Sequence, residues 1–258
     1  MIKKLIKGSL ARAGLKVSRI PAVGGPPDLD SQVAATLPAS ECYARFTSAC
    51  PIFQPWLGYG DFAAAYDGVA VRTLVSPDRC YVLQKFAQAT GSLEGDFIEC
   101  GVFKGGTALL LARTLPPGEK KLWLFDSFEG LPESSRPKGD FYQKGDFNQT
   151  SYESVRELLN PFANRLSIRK GWIPESFTGL DGLRFAFAHI DVDLYKPALA
   201  CCEYIFPRLV QGGVMIFDDY GYPACRGERN AVDLYFSQSK TPVIALPTGQ
   251  ALVIKNTP

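Results

Sequence analysis

Two apolar runs in this chain each end in acids. Phe185-Ala186-Phe187-Ala188-His189-Ile190 leads into Asp191-Val192-Asp193, and Gly213-Val214-Met215-Ile216-Phe217 leads into Asp218-Asp219. Short, continuous apolar runs of this kind read as strands buried on both faces. In an open α/β sheet, ligands bind outside the carboxyl ends of such strands. The aspartates therefore belong to one cluster at one sheet edge. Crowded carboxylates repel and raise one another's pKa values, so the cluster calls for a cation. Hard oxygen donors suit magnesium, with calcium and manganese as alternatives. From these residues alone, metal-assisted hydrolysis and metal-assisted group transfer both remain open.

A second constellation lies upstream, in Ile98-Glu99-Cys100-Gly101-Val102-Phe103-Lys104-Gly105-Gly106-Thr107. Glycines at a strand-to-helix turn let the backbone pass close to a ligand. The spacing is not the G-x-G-x-x-G of a dinucleotide fold. Glu99 would repel a pyrophosphate and favour a cationic group such as an ammonium. Asp126 closes the next apolar run, Leu122-Trp123-Leu124-Phe125, where an acid can accept hydrogen bonds from ribose hydroxyls. Its alternative role is to cap the loop that follows. Glu99 and Asp126 together fit an adenosyl ligand that carries a ribose and an amino group.

The elements that must position these residues alternate along the chain. Ser76-Pro77-Asp78 opens a helix to about Ala89, with serine at the cap and proline in the first turn. Strands are expected at Phe97–Gly101, Leu122–Asp126, Leu166–Lys170, Phe185–Asp191 and Gly213–Asp218. Helices are expected at Thr107–Leu115, Tyr152–Leu159, Pro197–Leu209 and Ala231–Phe236. Pro242–Leu246 and Gln250–Lys255 read as a closing strand pair around Pro247-Thr248-Gly249. This alternation predicts a doubly wound, mostly parallel α/β sheet with one antiparallel strand at or near its edge. The segment from Ser127 to Ser151 reads as a long loop, of a length that suits a lid. Residues 76–258 form the expected core domain. Residues 1–75, broken by prolines and glycines and rich in aromatics, form an expected N-terminal helical cap for substrate recognition or oligomerisation.

The 258 residues, with 46% hydrophobic and 21% charged side chains, suffice for one well-packed soluble domain. A formal net charge of +2 argues against nucleic acid as a partner. The seven cysteines show no CxxC spacing and are odd in number, so neither a zinc site nor a disulfide framework is indicated, and a reducing cytoplasm is the simplest compartment. No apolar run reaches the roughly 18 residues of a membrane span. The first seventeen residues carry Lys3, Lys4, Lys7, Arg12 and Lys16 among Ile2, Leu5, Ile6, Leu10 and Leu15. They could lie as an amphipathic helix on an anionic membrane surface. A helix packed on its own domain or on a neighbouring subunit of a homo-oligomer is the stronger reading.

Several longer motifs occur in a recognisable order. They are E-C-G-V-x-x-G-G-T from Glu99, D-S-F-E-G-L-P-E from Asp126, K-G-W-I-P-E-S-F from Lys170, H-I-D-V-D-L-Y from His189 and F-D-D-Y-G from Phe217. In this combination the chain resembles the macrocin O-methyltransferase family from about Arg72 to Lys255. The resemblance implies the Rossmann-like fold of class I methyltransferases, with S-adenosylmethionine and Mg2+ as cofactors. It implies a cofactor loop over Glu99, Gly101, Gly105 and Thr107, with Glu99 near the methionine amino group. Asp126 and Ser127 then match the ribose-contacting pair, and Gly171 and Trp172, after Lys170, lie near the adenine. Asp191, Asp218 and Asp219 match the metal ligands, with Asp191 also beside the cofactor. Asp193 matches the general base.

The chemistry of the cluster agrees with that assignment. A divalent cation held by aspartates from two strand ends keeps positions for a vicinal diol and lowers the pKa of a bound hydroxyl. In a continuing extended backbone Asp193 would point the same way as Asp191 and could take the proton. His189, the only histidine, shares that face and is expected to be a buried, hydrogen-bonded residue rather than a ligand. Tyr195, Tyr220 and Tyr222 flank the acids, where they could stack on a sugar ring or pack. The expected activity is magnesium-dependent O-methylation of a hydroxyl on a deoxysugar, either on a glycosylated natural product or on a saccharide precursor. The alternatives are methylation of a catechol-type diol, a hydrolase using the same aspartates, and a catalytically silent binding module.

Overall fold

The computed structural model describes residues 54–239 and 241–256. The basic N-terminal segment, Cys42, Cys50 and most of the expected cap lie outside the described residues. The elements begin with a one-turn helix at Pro55–Leu57 and α1 at Phe62–Tyr66, followed by α2 at Pro77–Thr90. Then come β1 (Asp96–Cys100), α3 (Gly106–Thr114), β2 (Leu122–Asp126), α4 (Tyr152–Leu158) and β3 (Leu166–Lys170). The second half adds β4 (Phe185–Ile190), α5 (Tyr195–Ile205), β5 (Leu209–Phe217), α6 (Arg226–Phe236), β6 (Ile244–Ala245) and β7 (Ala251–Ile254).

The strands form one seven-stranded sheet in the order β3-β2-β1-β4-β5-β7-β6. β1 to β5 run parallel, and β7 runs antiparallel to β5. The expected doubly wound sheet is thus the observed one, with the antiparallel strand one place in from the edge. Strand order reverses between β1 and β4, the crevice at which open α/β sheets take their ligands.

Register decides what stands at that crevice. Cys100 pairs with Ile190, and Ile190 with Phe217, so β1, β4 and β5 finish level. The ladder then continues one residue beyond each strand. The Gly101 N–H donates to Phe125 O at 2.9 Å, the Asp191 N–H to Cys100 O at 2.8 Å, and the Asp218 N–H to Ile190 O at 2.8 Å. The first residue after each strand is therefore fixed in the sheet plane.

Side chains fill both faces. Phe97, Leu110, Leu122, Phe187 and Ile216 pack with Phe62 and Leu83 on one side. Ile98, Phe125, Phe185, Met215 and Phe217 pack with Phe177 and Cys201 on the other. Burying each of these large apolar side chains contributes about 1.5–3 kcal/mol, which makes the sheet edge a rigid mount. Phe62 and Val69, from the described part of the expected cap, are fully buried in the first of these layers, while Leu57, Tyr59, Val71 and Leu74 of the same stretch are exposed.

Most bounds fall within one or two residues of the sequence reading, and the larger differences lie in α5, β5 and α6. α5 begins at Tyr195 and ends at Ile205, because Phe206-Pro207-Arg208 tightens into a separate turn before Leu209 opens β5. α6 begins five residues earlier than expected, at Arg226. Its first turn contains Gly227 and lacks an apolar stripe, so periodicity did not show it. The long loop contains only a one-turn helix at Arg136–Lys138.

That loop is anchored at its middle. Asp140 is 1% exposed; it accepts from the Ser135 N–H at 2.6 Å and from the Tyr195 N–H at 2.8 Å. It thus caps α5, whose own cap residue, Leu194, has no side-chain acceptor. Gly227 makes room, since a Cβ there would overlap Asp140 Oδ1.

Candidate functional site

The glycine turn is shaped by the sheet as much as by any ligand. Gly101 and Gly105 have φ of 86° and 80°, the left-handed region in which glycine is free of steric cost. A Cβ on Gly101 would overlap the carbonyl oxygen of Asp191, so this glycine lets β1 and β4 converge just where the acids begin. The Asp126 carboxylate clamps the same turn. Its Oδ2 accepts from the Val102 and Phe103 N–H groups at 2.7 and 2.9 Å, and its Oδ1 from the Phe128 N–H at 2.6 Å.

Of the two roles weighed for Asp126, these bonds show the loop-capping one. It organises loops, and it remains half-buried at the crevice with lone pairs to spare. Ser127 turns inward, donating to Gly130 O at 2.8 Å and accepting from the Glu129 N–H at 3.0 Å. Gly171 joins the group through its N–H to Asp126 O at 2.9 Å, which brings the half-buried Trp172 beside the end of β2. Thr107 is buried in the first turn of α3.

Glu99 and His189 face each other across β1 and β4, where they are paired in register. Both are 0% exposed, and His189 Nδ1 lies 2.8 Å from Glu99 Oε1. The second oxygen, Glu99 Oε2, is buried without a hydrogen-bond partner. His189 Nε2 stands 3.5 Å from Asp218 Oδ1, an ion-pair distance without hydrogen-bond alignment. Burial works against the imidazolium, yet the carboxylates of Asp218 and Glu99 outweigh it and push its pKa up to about 10. The histidine is thus the buried, bonded residue expected from sequence.

The four aspartates are brought together at the level ends of β4 and β5. Asp193 reaches the cluster by a route that differs from the expected one. β4 ends at Ile190, and Asp193 sits at φ 60°, so the backbone does not continue extended. Aspartate tolerates that left-handed conformation better than most residues, and such strain gathers at functional sites. The turn brings a carboxylate oxygen of Asp193 together with Asp219 and the Cys225 thiol, all within 4.8 Å of one another. His189, Asp191 and Asp218 form a second such group within the same limit.

Electrostatics divide these acids. Asp191 and Asp193 are pushed well above the usual carboxylate range, first by burial and then by the charges of neighbouring aspartates. Asp219 is raised by the same causes. Asp218 is held below it: burial opposes ionisation, but Arg79, His189 and Gln250 prevail. A set of adjoining carboxylates driven toward protonation is the chemistry of a hard-cation site. The donors therefore fit a magnesium-like ion, as the unpartnered Glu99 Oε2 fits an ammonium.

Residues that sequence reasoning missed complete the site. Arg79 of α2 contacts Asp218 Oδ2 and reaches Asp219 Oδ1 at 3.1 Å. Gln250, just before β7, donates to Asp218 Oδ1 at 2.8 Å. Glu228 of α6 is 0% exposed, and its Oε1 accepts from the Asp219 N–H at 3.3 Å. Burial, then Asp219, push its carboxyl well above the ordinary range. Cys225 donates to Asp193 Oδ1 at 3.5 Å. No local pattern marks them, apart from the unusual Arg-Gly-Glu opening of an amphipathic helix.

The flanking tyrosines are engaged within the protein. Tyr220 OH donates to Asp233 at 2.7 Å, Tyr222 lies under the Arg79 guanidinium at 4.8 Å, and the Tyr195 ring lies under Lys138 at 4.8 Å. The described cysteines, Cys80, Cys100, Cys201, Cys202 and Cys225, are buried free thiols. No helix among the described residues is long and apolar enough to cross a membrane.

Comparison with known proteins adds three findings. The family model for macrocin-O-methyltransferase matches residues 69–244. Among curated relatives, a tetracenomycin-C rhamnosyl 4'-O-methyltransferase of Streptomyces olivaceus is 29% identical over 144 residues, covering 51% of this chain and 55% of the relative. The mycinamicin III 3''-O-methyltransferase of Micromonospora griseorubida is 25% identical over 170 residues, covering 60% of this chain and 67% of the relative. The chain thus spans between 55% and 67% of the length of these two relatives. Among solved structures, the O-methyltransferase NovP superposes with a TM-score of 0.63 at 21% identity, over 72% of this chain and 83% of that one. The calicheamicin methyltransferase CalS11 does so with 0.61 at 18% identity, over 80% of this chain and 99% of that one. These likenesses establish the class I methyltransferase fold.

Proposed function

This chain belongs to the macrocin-O-methyltransferase family, and on that premise we propose that it transfers a methyl group from S-adenosylmethionine to a hydroxyl of a sugar. The acceptor would be a deoxysugar on a glycosylated natural product or its saccharide precursor, as the names of the relatives suggest. One observation carries the reading. An acidic, hard-oxygen cluster at the β4 and β5 ends adjoins the unpartnered Glu99 Oε2 and the Asp126-clamped turn, at the switch point of the sheet. A hydrolase using the same aspartates would leave the second half of that arrangement without a purpose.

Asp191, Asp218 and Asp219 are the candidate holders of a divalent cation, magnesium in the first instance. When bound, the cation would polarise an acceptor hydroxyl, and S-adenosylmethionine would supply the methyl group. Glu99 would receive the ammonium of the cofactor, with Gly101, Gly105 and Thr107 shaping the turn around it. Asp126 and Ser127 would meet the ribose, and Gly171 and Trp172 the adenine side. Asp193, raised by burial and Asp219, would hold the hydroxyl proton at its carboxylate. Much of the rate gain would come from holding donor and acceptor in line. The long loop, pinned by Asp140 next to Tyr195, would shield the site from water.

A cytoplasmic homo-oligomer is the setting that we propose, with residues 1–75 contributing to acceptor choice, subunit contacts or a peripheral membrane contact. Calorimetric titration with S-adenosylmethionine tests the cofactor half of the proposal, and no binding at millimolar concentration would refute it. Mass spectrometry of sugar nucleotides and glycosylated metabolites for a gain of one methyl tests the acceptor half.

A further inference from the structure

Asp193 stands at the apex of a very tight turn between β4 and α5. The Leu194 N–H donates back to Val192 O at 2.6 Å, across a residue at φ 60°. A bond that spans a single residue at positive φ marks the rare, strained form of the γ-turn. A residue other than glycine keeps such a conformation only where its surroundings over-determine it. The chain then enters α5, and its cap residue, Leu194, offers no side-chain acceptor to the first N–H groups of the helix.

The acceptor comes from the long loop. Asp140 gives Oδ1 to the Tyr195 N–H at 2.8 Å and Oδ2 to the Ser135 N–H at 2.6 Å. The first turn of α6 closes around this carboxylate. A Cβ on Gly227 would overlap Asp140 Oδ1 and stand 3.1 Å from the Tyr195 nitrogen, and the Asn230 side chain donates to Lys138 O at 2.8 Å. Just before that turn, Cys225 Sγ donates to Asp193 Oδ1 at 3.5 Å. Two routes from Asp140 therefore converge on Asp193. One runs through Tyr195 and Leu194 to its backbone, the other through α6 and Cys225 to its carboxylate.

We propose that Asp140 is a positioning residue for Asp193: it locks the strained turn that aims the Asp193 carboxylate at the acceptor hydroxyl. The inference rests on the reading of Asp193 as the group that holds the hydroxyl proton. Without Asp140 the Tyr195 N–H loses a buried acceptor, which is costly. The chain from Val192 to Tyr195 is then free to relax. Asp193 leaves the left-handed region for an ordinary backbone conformation, and its carboxylate swings with it. A displacement of about 1 Å at a reacting group costs about 10²-fold in rate. The cofactor turn is clamped separately by Asp126, so cofactor binding is spared.

A double-mutant cycle in the full chain separates this role from simple anchoring of the loop. The readout is methyl transfer from radiolabelled S-adenosylmethionine to the acceptor that gains a methyl in the screen above. Asp140→Ala should lower kcat about 10²-fold, with KM and calorimetric cofactor affinity within about threefold of wild type. In the Asp193→Asn background the same substitution should change kcat by no more than about twofold, because the group that it positions is already gone. An equal fall in both backgrounds, or an effect on KM alone, would overturn the assignment. Crystal structures of Asp140→Ala and of Asp140→Asn, which keeps one acceptor oxygen for two N–H groups, read the turn directly. Asp193 should leave the left-handed region in each variant whose kcat falls and keep it in any whose kcat does not; the opposite pairing would overturn the assignment. If alanine prevents folding, Asp140→Asn carries both the cycle and the structure. If the wild-type protein methylates no sugar acceptor, the transfer reading fails, and the turn still decides this one: an Asp193 turn unchanged without Asp140 refutes it.

Discussion

Removing divalent ions should make this protein lose stability as pH rises through neutrality. In the metal-free native state Asp191, Asp193, Asp219 and Glu228 have pKa values above their ordinary ones, because burial and neighbouring acids disfavour the charged form. The unfolded chain releases these protons near the ordinary aspartate and glutamate values of 3.8 and 4.5. Between that range and the raised native values the folded state binds more protons than the unfolded one, so stability falls with pH. His189 acts in the same direction, since its native pKa, pushed up to about 10, lies above the ordinary histidine value of 6.5. Its contribution is complete below about pH 6.5 and disappears as pH rises through about 10. Asp218, held below the ordinary aspartate value, acts oppositely, but only on the acid side of that value.

Each proton retained by the folded state alone lowers stability by about 1.4 kcal/mol per pH unit. Even one such proton, held across a single pH unit, is a sizeable part of a typical total stability of about 5–15 kcal/mol. A bound cation holds the same carboxylates in their ionised form and should flatten the slope; at a hundred times its dissociation constant it adds about 2.7 kcal/mol. Urea midpoints at a series of pH values, in chelator and in excess magnesium, measure both. A midpoint that stays level or rises with pH in chelator, or an equal slope with magnesium, would refute the account of the cluster.

Other perturbations test separate links. Asp193→Asn should lower turnover by about 10²–10⁴-fold, the usual worth of a general base, with cation affinity little changed; a wild-type rate would remove it from that role. Glu99→Gln keeps an acceptor for His189 and should weaken S-adenosylmethionine by the value of one charged hydrogen bond, about 1.5–3 kcal/mol, measured calorimetrically. Gly101→Ala places a Cβ against the Asp191 carbonyl at positive φ and should cost about 3 kcal/mol or more in urea unfolding. Gly182→Ala, with open space around it, is the matched control. Asp140→Ala leaves the Ser135 and Tyr195 N–H groups without their acceptor. It should cost about 3–5 kcal/mol and speed amide exchange in the loop and the first turn of α5. Unchanged exchange there would show that the loop is held by other contacts.

The sequence alone determined the sheet and the edge at which the acids stand. Continuous apolar runs such as Phe185–Ile190 can be satisfied only between two layers, and the order of strands and helices then leaves few topologies. Asp126, Asp191, Asp218 and Asp219 follow because they stand at the ends of such runs; Glu99 stood out as an acid inside one, and Asp193 was placed near them by a strand continuation that the structure replaces with a turn. Tertiary structure alone decided which acids face outward and which partners they have. Arg79 and Asp218 meet across 139 residues of chain, and Asp140 and Tyr195 across 55. A lone arginine in an amphipathic helix and a lone aspartate in a loop carry no periodic or spacing signal. Their partners are set by the level register of β1, β4 and β5 and by the packing of α2 and α6 against that edge. Local pattern could place four aspartates together, but only the fold could show that Asp218 is held by the protein's own cations while its neighbours face the crevice.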